Sequence, residues 1–421
     1  MTPAMIPAML LALACSPPED WEAVDPPFYS YDDSKTPLVE LPADESTWED
    51  LEFPLEQSGG DNGDTGITYS FALAAYYILG VQNVGIGQPF GYTLEPTTGV
   101  WEDDDSWGRQ VMATITLVRA SNVTGRPEFE LGARIAMRQL LEDAEEQEDG
   151  SLKLSSIGPT ALMVMAMTEH AALTGSTEWE PALEGFGAYI LSAQNPDGSW
   201  SEGSRLTWQQ LHKALWELYV HTGEVVYLDA LEATGKWHSD NRDLTGDAEP
   251  FEYPYLYGLW AAEPLLGLYR ERPADWIPEL VFSVGDDVIG DQWTPDTVTD
   301  ETAQYMGGYW ANPPNEDGPP NWNHTIKLEA VIDCWRMADE VGDEERAALY
   351  RRSALIGTAH LQDWQFRQSD ITGWPSEDIA LGGMPLYVDD PSIRIDIPAH
   401  GGVAMMKVAK YLELEAWPGG Y

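Results

Sequence analysis

Arg394, Asp396 and His400 bring a guanidinium, a carboxylate and an imidazole into one short run, R-I-D-I-P-A-H. Alternate side chains of an extended segment point the same way, so Arg394 and Asp396 share a side. With Asp396 as the N-cap of a following helix, His400 falls one turn inside and faces the same cavity, a pair suited to proton transfer. A capping aspartate followed by a satisfied histidine uses the same residues.

A second set lies far upstream, where Asp103, Asp104 and Asp105 stand just before Arg109 and Gln110. Among three crowded carboxylates at least one could hold a raised pKa, and the arginine can position a ligand. Capping by Asp105 or Ser106 fits the run equally. A third set, Asn323, His324 and Glu329, has its acid five residues past the imidazole, not quite on the same helical face. Trp208, Gln209, Tyr253, Tyr255, Tyr257, Trp260, Trp310 and Trp322 add flat rings and polar groups near these sets. Such rings stack on sugars or fill a core.

Positioning residues nearly three hundred apart requires a repeating scaffold. Twelve segments with helical apolar spacing begin near Ile67, Ser106, Glu128, Ile157, Glu178, Leu206, Val225, Leu256, Asp275, His324, Glu344 and Pro398. Gly125, Gly175, Gly223 and Gly342 punctuate them. Paired, they predict six helical hairpins closed into an all-α ring, with even-numbered helices inside. The segments leading into those inner helices, EDDDSWGRQ, LKLSSIGP, SRLTWQQLH, PFEYPYLYGLW, PPNWNHTIKLE and IRIDIPAHGG, then open at one mouth. Helix N-termini there favour anionic or hydroxyl-rich ligands.

Turns at Gln194 to Trp200 (QNPDGSW), Glu145 to Leu152 (EEQEDGSL) and Gly87 to Trp101 resemble the Q-x-x-D-G-x-W turns of terpenoid-cyclase and prenyltransferase toroids, where they tighten hairpin stacking. From about residue 60 to 416 the chain resembles the α/α-toroid superfamily of six-hairpin glycosidases, polysaccharide lyases, sugar epimerases and terpenoid cyclases. The resemblance implies an (α/α)6 toroid and does not choose among activities. Asp103, Asp105 and Ser106 are similar to the D-x-D-D acid motif of cyclases with its last acid missing.

The formal charge of −49, from 71 acidic against 22 basic residues of which seven are Lys, repels phosphate backbones, so no nucleic acid partner is expected. It suits a surface kept soluble in salt. Met1 to Cys15 (MTPAMIPAMLLALAC) resembles a bacterial lipoprotein signal, which implies lipidation at Cys15 and a protein exported to the cell envelope, touching membrane through that anchor only. Its n-region has no Lys or Arg, and Ala12-Leu13 replaces the usual leucine followed by a small residue. Residues 16–60, rich in Pro, Asp and Glu, read as an extended tether, and 61–421 as the toroid. Cys334, at helical spacing in AVIDCWRMAD, reads as a buried apolar residue.

Zinc is disfavoured because no H-x-x-x-H or H-E-x-x-H pattern occurs, and GGDNGDTG at Gly59 to Gly66 misses the calcium-loop spacing. No cofactor is expected; calcium held by acidic loops has no specific support. The leading expectation is a glycoside hydrolase with Asp105 and Asp396 as acid and base, His400 sharing the proton, and Arg109 and Arg394 binding substrate. Asp104, Gln110, Trp208, Tyr255, Tyr257, Trp260, His324 and Glu329 complete the candidate binding residues. Lyase or epimerase chemistry at His400 and Arg394 stands close behind. A non-catalytic surface lipoprotein that binds glycan or protein is the alternative, and a terpenoid cyclase the third.

Overall fold

The computed structural model describes residues 66–82, 88–102, 106–241, 254–310 and 318–412; the signal-like leader with Cys15, the tether and Asp103 to Asp105 lie outside the described residues. Twelve long helices occupy the expected places: α1 Gly66–Gly80, α2 Trp107–Thr124, α3 Pro127–Glu142, α4 Ile157–Thr174, α5 Glu180–Ala193, α6 Arg205–Thr222, α7 Val225–Asp240, α8 Pro254–Glu271, α9 Trp276–Gly290, α10 Asn323–Val341, α11 Glu344–Trp364 and, after two short helices, α14 Asp396–Tyr411. The short helices, α12 Gln368–Ile371 and α13 Glu377–Ala380, lie in the last connection and were not foreseen. Gly125, Gly175, Gly223 and Gly342 end α2, α4, α6 and α10 at φ values of 65° to 74°, left-handed geometry that glycine adopts without strain.

The inner helices touch in the closed order α2, α4, α6, α8, α10, α14 and back to α2, and α1, α3, α5, α7, α9 and α11 pack around them. The architecture is an all-α toroid of six hairpins. Outer helices are one-sided: α3 buries Phe129, Gly132, Ala133, Ala136, Met137 and Leu140, three or four residues apart. Inner helices are buried nearly all round; every residue of α14 from Asp396 to Ala409 is buried.

Short strands bind the ends of the ring together. β1 (Thr93–Glu95) pairs antiparallel with both β2 (Val100–Glu102) and β5 (Ile393–Arg394), with Thr93 opposite Arg394. This pairing carries the chain that enters α14 onto the chain that enters α2. β3 (Ala144–Glu146) and β4 (Leu152–Leu154) form a separate hairpin.

One device recurs around the outer ring. The side-chain amides of Gln82, Gln194, Gln292 and Gln365, which follow α1, α5, α9 and α11, donate to backbone oxygens of Gly132, Ala230, Ser353 and Ser70 on the next outer helix. In three of these turns a left-handed glycine then presses on a carbonyl three residues further along that helix: Gly198 on Ala233, Gly307 on Ile356 and Gly382 on Leu73. A Cβ there would lie 2.2 to 2.3 Å from the oxygen, so only glycine fits. Gln194 to Trp200 is thus a stitch between outer helices, with Trp200 Nε1 also donating to Thr234. In the related turn after α3, Asp149 holds Ser151 as Asp197 holds Ser199. After α1 the stitching residue is Gln82, just upstream of the segment from Gly87 to Trp101.

Candidate functional site

Inner helices run parallel, because ion pairs join residues at matching depth. The thirteenth residue of α2, Arg119, meets the thirteenth of α4, Glu169, and the eleventh of α10, Asp333, meets the twelfth of α14, Lys407. The N-terminal ends of these helices therefore share one mouth.

At that mouth β5 and the first turn of α14 place Arg394 and Asp396 beside Arg109 of α2. Arg394 donates to both carboxylate oxygens of Asp396, from Nε at 2.6 Å and from Nη2 at 3.0 Å, and Arg109 Nε donates to Oδ2 at 3.2 Å. Arg109 also donates to the Tyr92 hydroxyl, and Arg394 lies over the Trp322 ring. Burial by itself would raise the Asp396 pKa, but the adjoining Arg394, then Arg109, more than offset it and hold the carboxyl below its ordinary value. Asp396 is the first residue of α14 rather than its side-chain cap.

One turn deeper, His400 Nδ1 lies 3.2 Å from Glu329 Oε2, and its ring stands edge-on to Trp260 with centroids 5.8 Å apart. Its Nε2 has no hydrogen-bond partner among the described residues, and 7% of the side chain is exposed. Beneath this pair charges fill the axis of the ring. Lys407 Nζ reaches Asp333 at 2.6 Å, Glu329 at 3.0 Å and Glu263 at 3.8 Å. Lys213 joins Glu263 to Glu217, Arg336 joins Glu263 to Asp333, and Arg119 grips Glu169 through two hydrogen bonds. Four cations, Arg119, Lys213, Arg336 and Lys407, face five carboxylates, and the fifth, Glu217, has its pKa raised by burial.

Burial would also raise the Glu329 pKa, yet Lys407 and the His400 hydrogen bond bring it down to about 2, and Lys213 and Lys407 hold Glu263 well below its ordinary value. A carboxylate with a lowered folded-state pKa contributes stability that is present above its unfolded pKa and lost as pH falls through the folded one. Glu217, with its raised pKa, works in the opposite sense. The stability gap between wild type and Glu329→Gln is therefore expected to close as pH drops from about 4.5 to about 2. Urea titrations of both proteins across that range measure it; a constant gap would mean that the Glu329 charge contributes nothing.

The structure thus gathers Arg109, Arg394 and Asp396, with His400, Glu329 and Trp260 one turn below. Of the remaining candidates whose side chains are described, His324, Gln110 and Trp208 bond elsewhere. His324 is fully buried on the far side of α10, its Nδ1 accepting from the Tyr309 amide and its Nε2 facing the Gly357 carbonyl. The five-residue spacing to Glu329 separates the two faces. Gln110 is likewise buried, its amide accepting from Phe90 N–H and donating to the Phe90 carbonyl and to Gln88. Trp208 turns toward α7, edge-on to Trp237 and donating to the Glu202 carbonyl. Asp104, Asp105 and the side chains of Tyr255 and Tyr257 lie outside what is described.

Tyr92 and the axial charges other than Glu329 were missed. A signal existed for the latter: Glu169 interrupts the apolar run ALMVMAMTEHAAL, and Lys407 follows His400 by seven residues in an otherwise apolar stretch. Cys334 is buried and unpaired, with burial pushing its thiol pKa up. Among the described residues no group of three His, Cys, Asp or Glu gathers as a metal site, and no helix is long and apolar enough to cross a membrane.

No family profile and no curated protein sequence matches the chain. Solved structures do match it. An unsaturated glucuronyl hydrolase specific for heparin superposes with a TM-score of 0.60 at 12% identity, over 83% of this chain and 98% of that one. Cellobiose 2-epimerase from Bacillus thermoamylovorans gives 0.59 at 12%, over 82% and 99%. An α-mannanase from Bacteroides thetaiotaomicron gives 0.56 at 10%, over 82% and 96%. At these identities the likeness defines the class of fold, a six-hairpin α/α toroid.

Proposed function

We propose that this protein is a carbohydrate-active enzyme that moves a proton at His400, in the manner of a sugar epimerase, isomerase or lyase. The observation that carries the reading is the division of labour at the mouth. Both Asp396 oxygens are committed to arginines, which makes this residue a clamp rather than a free acid or base. Among the described residues beside them, His400 has a ring nitrogen, Nε2, with no hydrogen-bond partner. Abstraction of a proton next to a carbonyl or carboxylate needs such a base together with cationic donors for the developing oxyanion. The Arg394 guanidinium has five N–H donors and directs only Nε and one Nη2 hydrogen at Asp396, so it retains donors for substrate. Trp322, half-buried beneath Arg394, adds an aromatic surface at the mouth. The charged lining disfavours an alkene substrate and hence a terpenoid cyclase.

A glucuronyl hydrolase, an epimerase and a mannanase on the same fold support a saccharide ligand. Hydrolysis is the second reading, since Asp103 to Asp105 in the sequence entering α2 supply the additional carboxyl groups that it needs. The leader ending at Cys15 supports export and a lipid anchor in the cell envelope.

Incubation with reducing disaccharides and uronate-ended oligosaccharides in D2O, followed by proton NMR, tests the proposal. Deuterium uptake next to the carbonyl, or an unsaturated product, is expected. New reducing ends without uptake would replace this reading with hydrolysis, and binding without any turnover would replace it with a non-catalytic glycan-binding lipoprotein.

A further inference from the structure

Glu329 lies at the level of His400 but is sealed below it, with 3% of its side chain exposed. One of its oxygens meets His400 Nδ1 at 3.2 Å, and the other meets Lys407 Nζ at 3.0 Å. Lys407 is itself fixed by Asp333 at 2.6 Å and sits beside Glu263. We propose that Glu329, locked as a carboxylate by Lys407, is a positioning residue that keeps the proton of neutral His400 on Nδ1 and so presents a bare Nε2 to the mouth.

This inference rests on the reading of His400 as the proton-transfer group, and it assigns Glu329 to the histidine rather than to substrate. A carboxylate can only accept, so the nitrogen facing it must carry the hydrogen, and the other nitrogen of a neutral imidazole is then the base. The lowered pKa of Glu329 agrees, because a protonated Glu329 would donate to the ring and favour the opposite tautomer. Charges on every neighbouring element enter the balance: Arg109 and Arg119 from α2, Glu263 from α8, Glu329 and Asp333 from α10, Asp396 and Lys407 from α14, and Arg394 from β5. Asp396 is already satisfied by its two arginines, which leaves Glu329 as the carboxylate on the ring.

Nitrogen-15 NMR of the full chain reads the tautomer directly and independently of any activity, with the His400 signals identified by their loss in His400→Gln. The wild type at a pH where the ring is neutral is expected to show a protonated Nδ1 and an unprotonated Nε2. Glu329→Gln and Lys407→Met should abolish that preference, and Lys407→Arg should restore it. A proton on Nε2 in the wild type overturns the proposal even if no variant folds. An unchanged tautomer in folded Glu329→Gln and Lys407→Met overturns it as well. A protein with the expected tautomer but no exchange on any sugar would defeat the catalytic reading alone, whereas an active protein with the wrong tautomer would defeat this one alone.

Discussion

Lys407→Met is expected to cost about 3–5 kcal/mol of folding stability at neutral pH, the usual range for breaking a buried ion pair from one side. Lys407 is the shared partner of Asp333, Glu329 and Glu263, and the side chains of Asp333 and Glu329 are almost wholly removed from water. Methionine fills similar space, so the loss is electrostatic rather than a packing defect. Asp333 would keep Arg336 and Glu263 would keep Lys213 and Arg336, while Glu329 would be left with its hydrogen bond to His400. Equilibrium urea unfolding measures the effect, and Lys236→Met is the contrast, because the Lys236–Asp240 pair is about half exposed on both sides. Exposed pairs typically contribute between nothing and about 1 kcal/mol. Adding Glu329→Gln and Asp333→Asn to Lys407→Met should return part of the loss by removing the orphaned charges. A Lys407→Met cost no larger than that of Lys236→Met would mean that the axis is hydrated and that its charges are not locked.

His400→Gln should lower kcat by roughly 10²- to 10⁴-fold on any sugar that exchanges a proton, the usual contribution of a positioned acid or base. KM should change little, since the imidazole acts on the reacting proton rather than holding the ligand. Glutamine keeps a hydrogen-bonding group near Glu329, so folding should survive, and near-UV circular dichroism provides that check. Asp396→Asn gives a different pattern. It releases Arg109 and Arg394 from their common carboxylate, and the main expected effect is on KM. Full turnover in His400→Gln would remove the imidazole from the chemistry and return attention to the acids before α2.

Residues near in the chain and residues far apart in it settle different parts of this fold. Helical period and glycine stops are local properties, so the starts of α4 at Ile157, α7 at Val225 and α11 at Glu344 were legible within the chain itself, as were the left-handed stops at Gly125, Gly175, Gly223 and Gly342. Hairpin pairing followed from their regular succession. His324 and Gln110 show what local spacing leaves open. Each has the right type and stands near a helix entrance, yet which way it turned depended on backbone partners in α11 and in the turn before β1.

Sequence alone therefore determined the number of rods, their alternation and the candidate group Arg394, Asp396 and His400, because those are set by spacing within a few turns. Only the closed ring decided that Arg109 joins them across 287 positions and that Lys407, Glu329 and Glu263 sit inside rather than on the surface. A charge at a helical position carries the same letter whether it faces water or a partner across the axis. Its environment is fixed by which other helices close around it, and that information lies in residues 50 to 300 positions away.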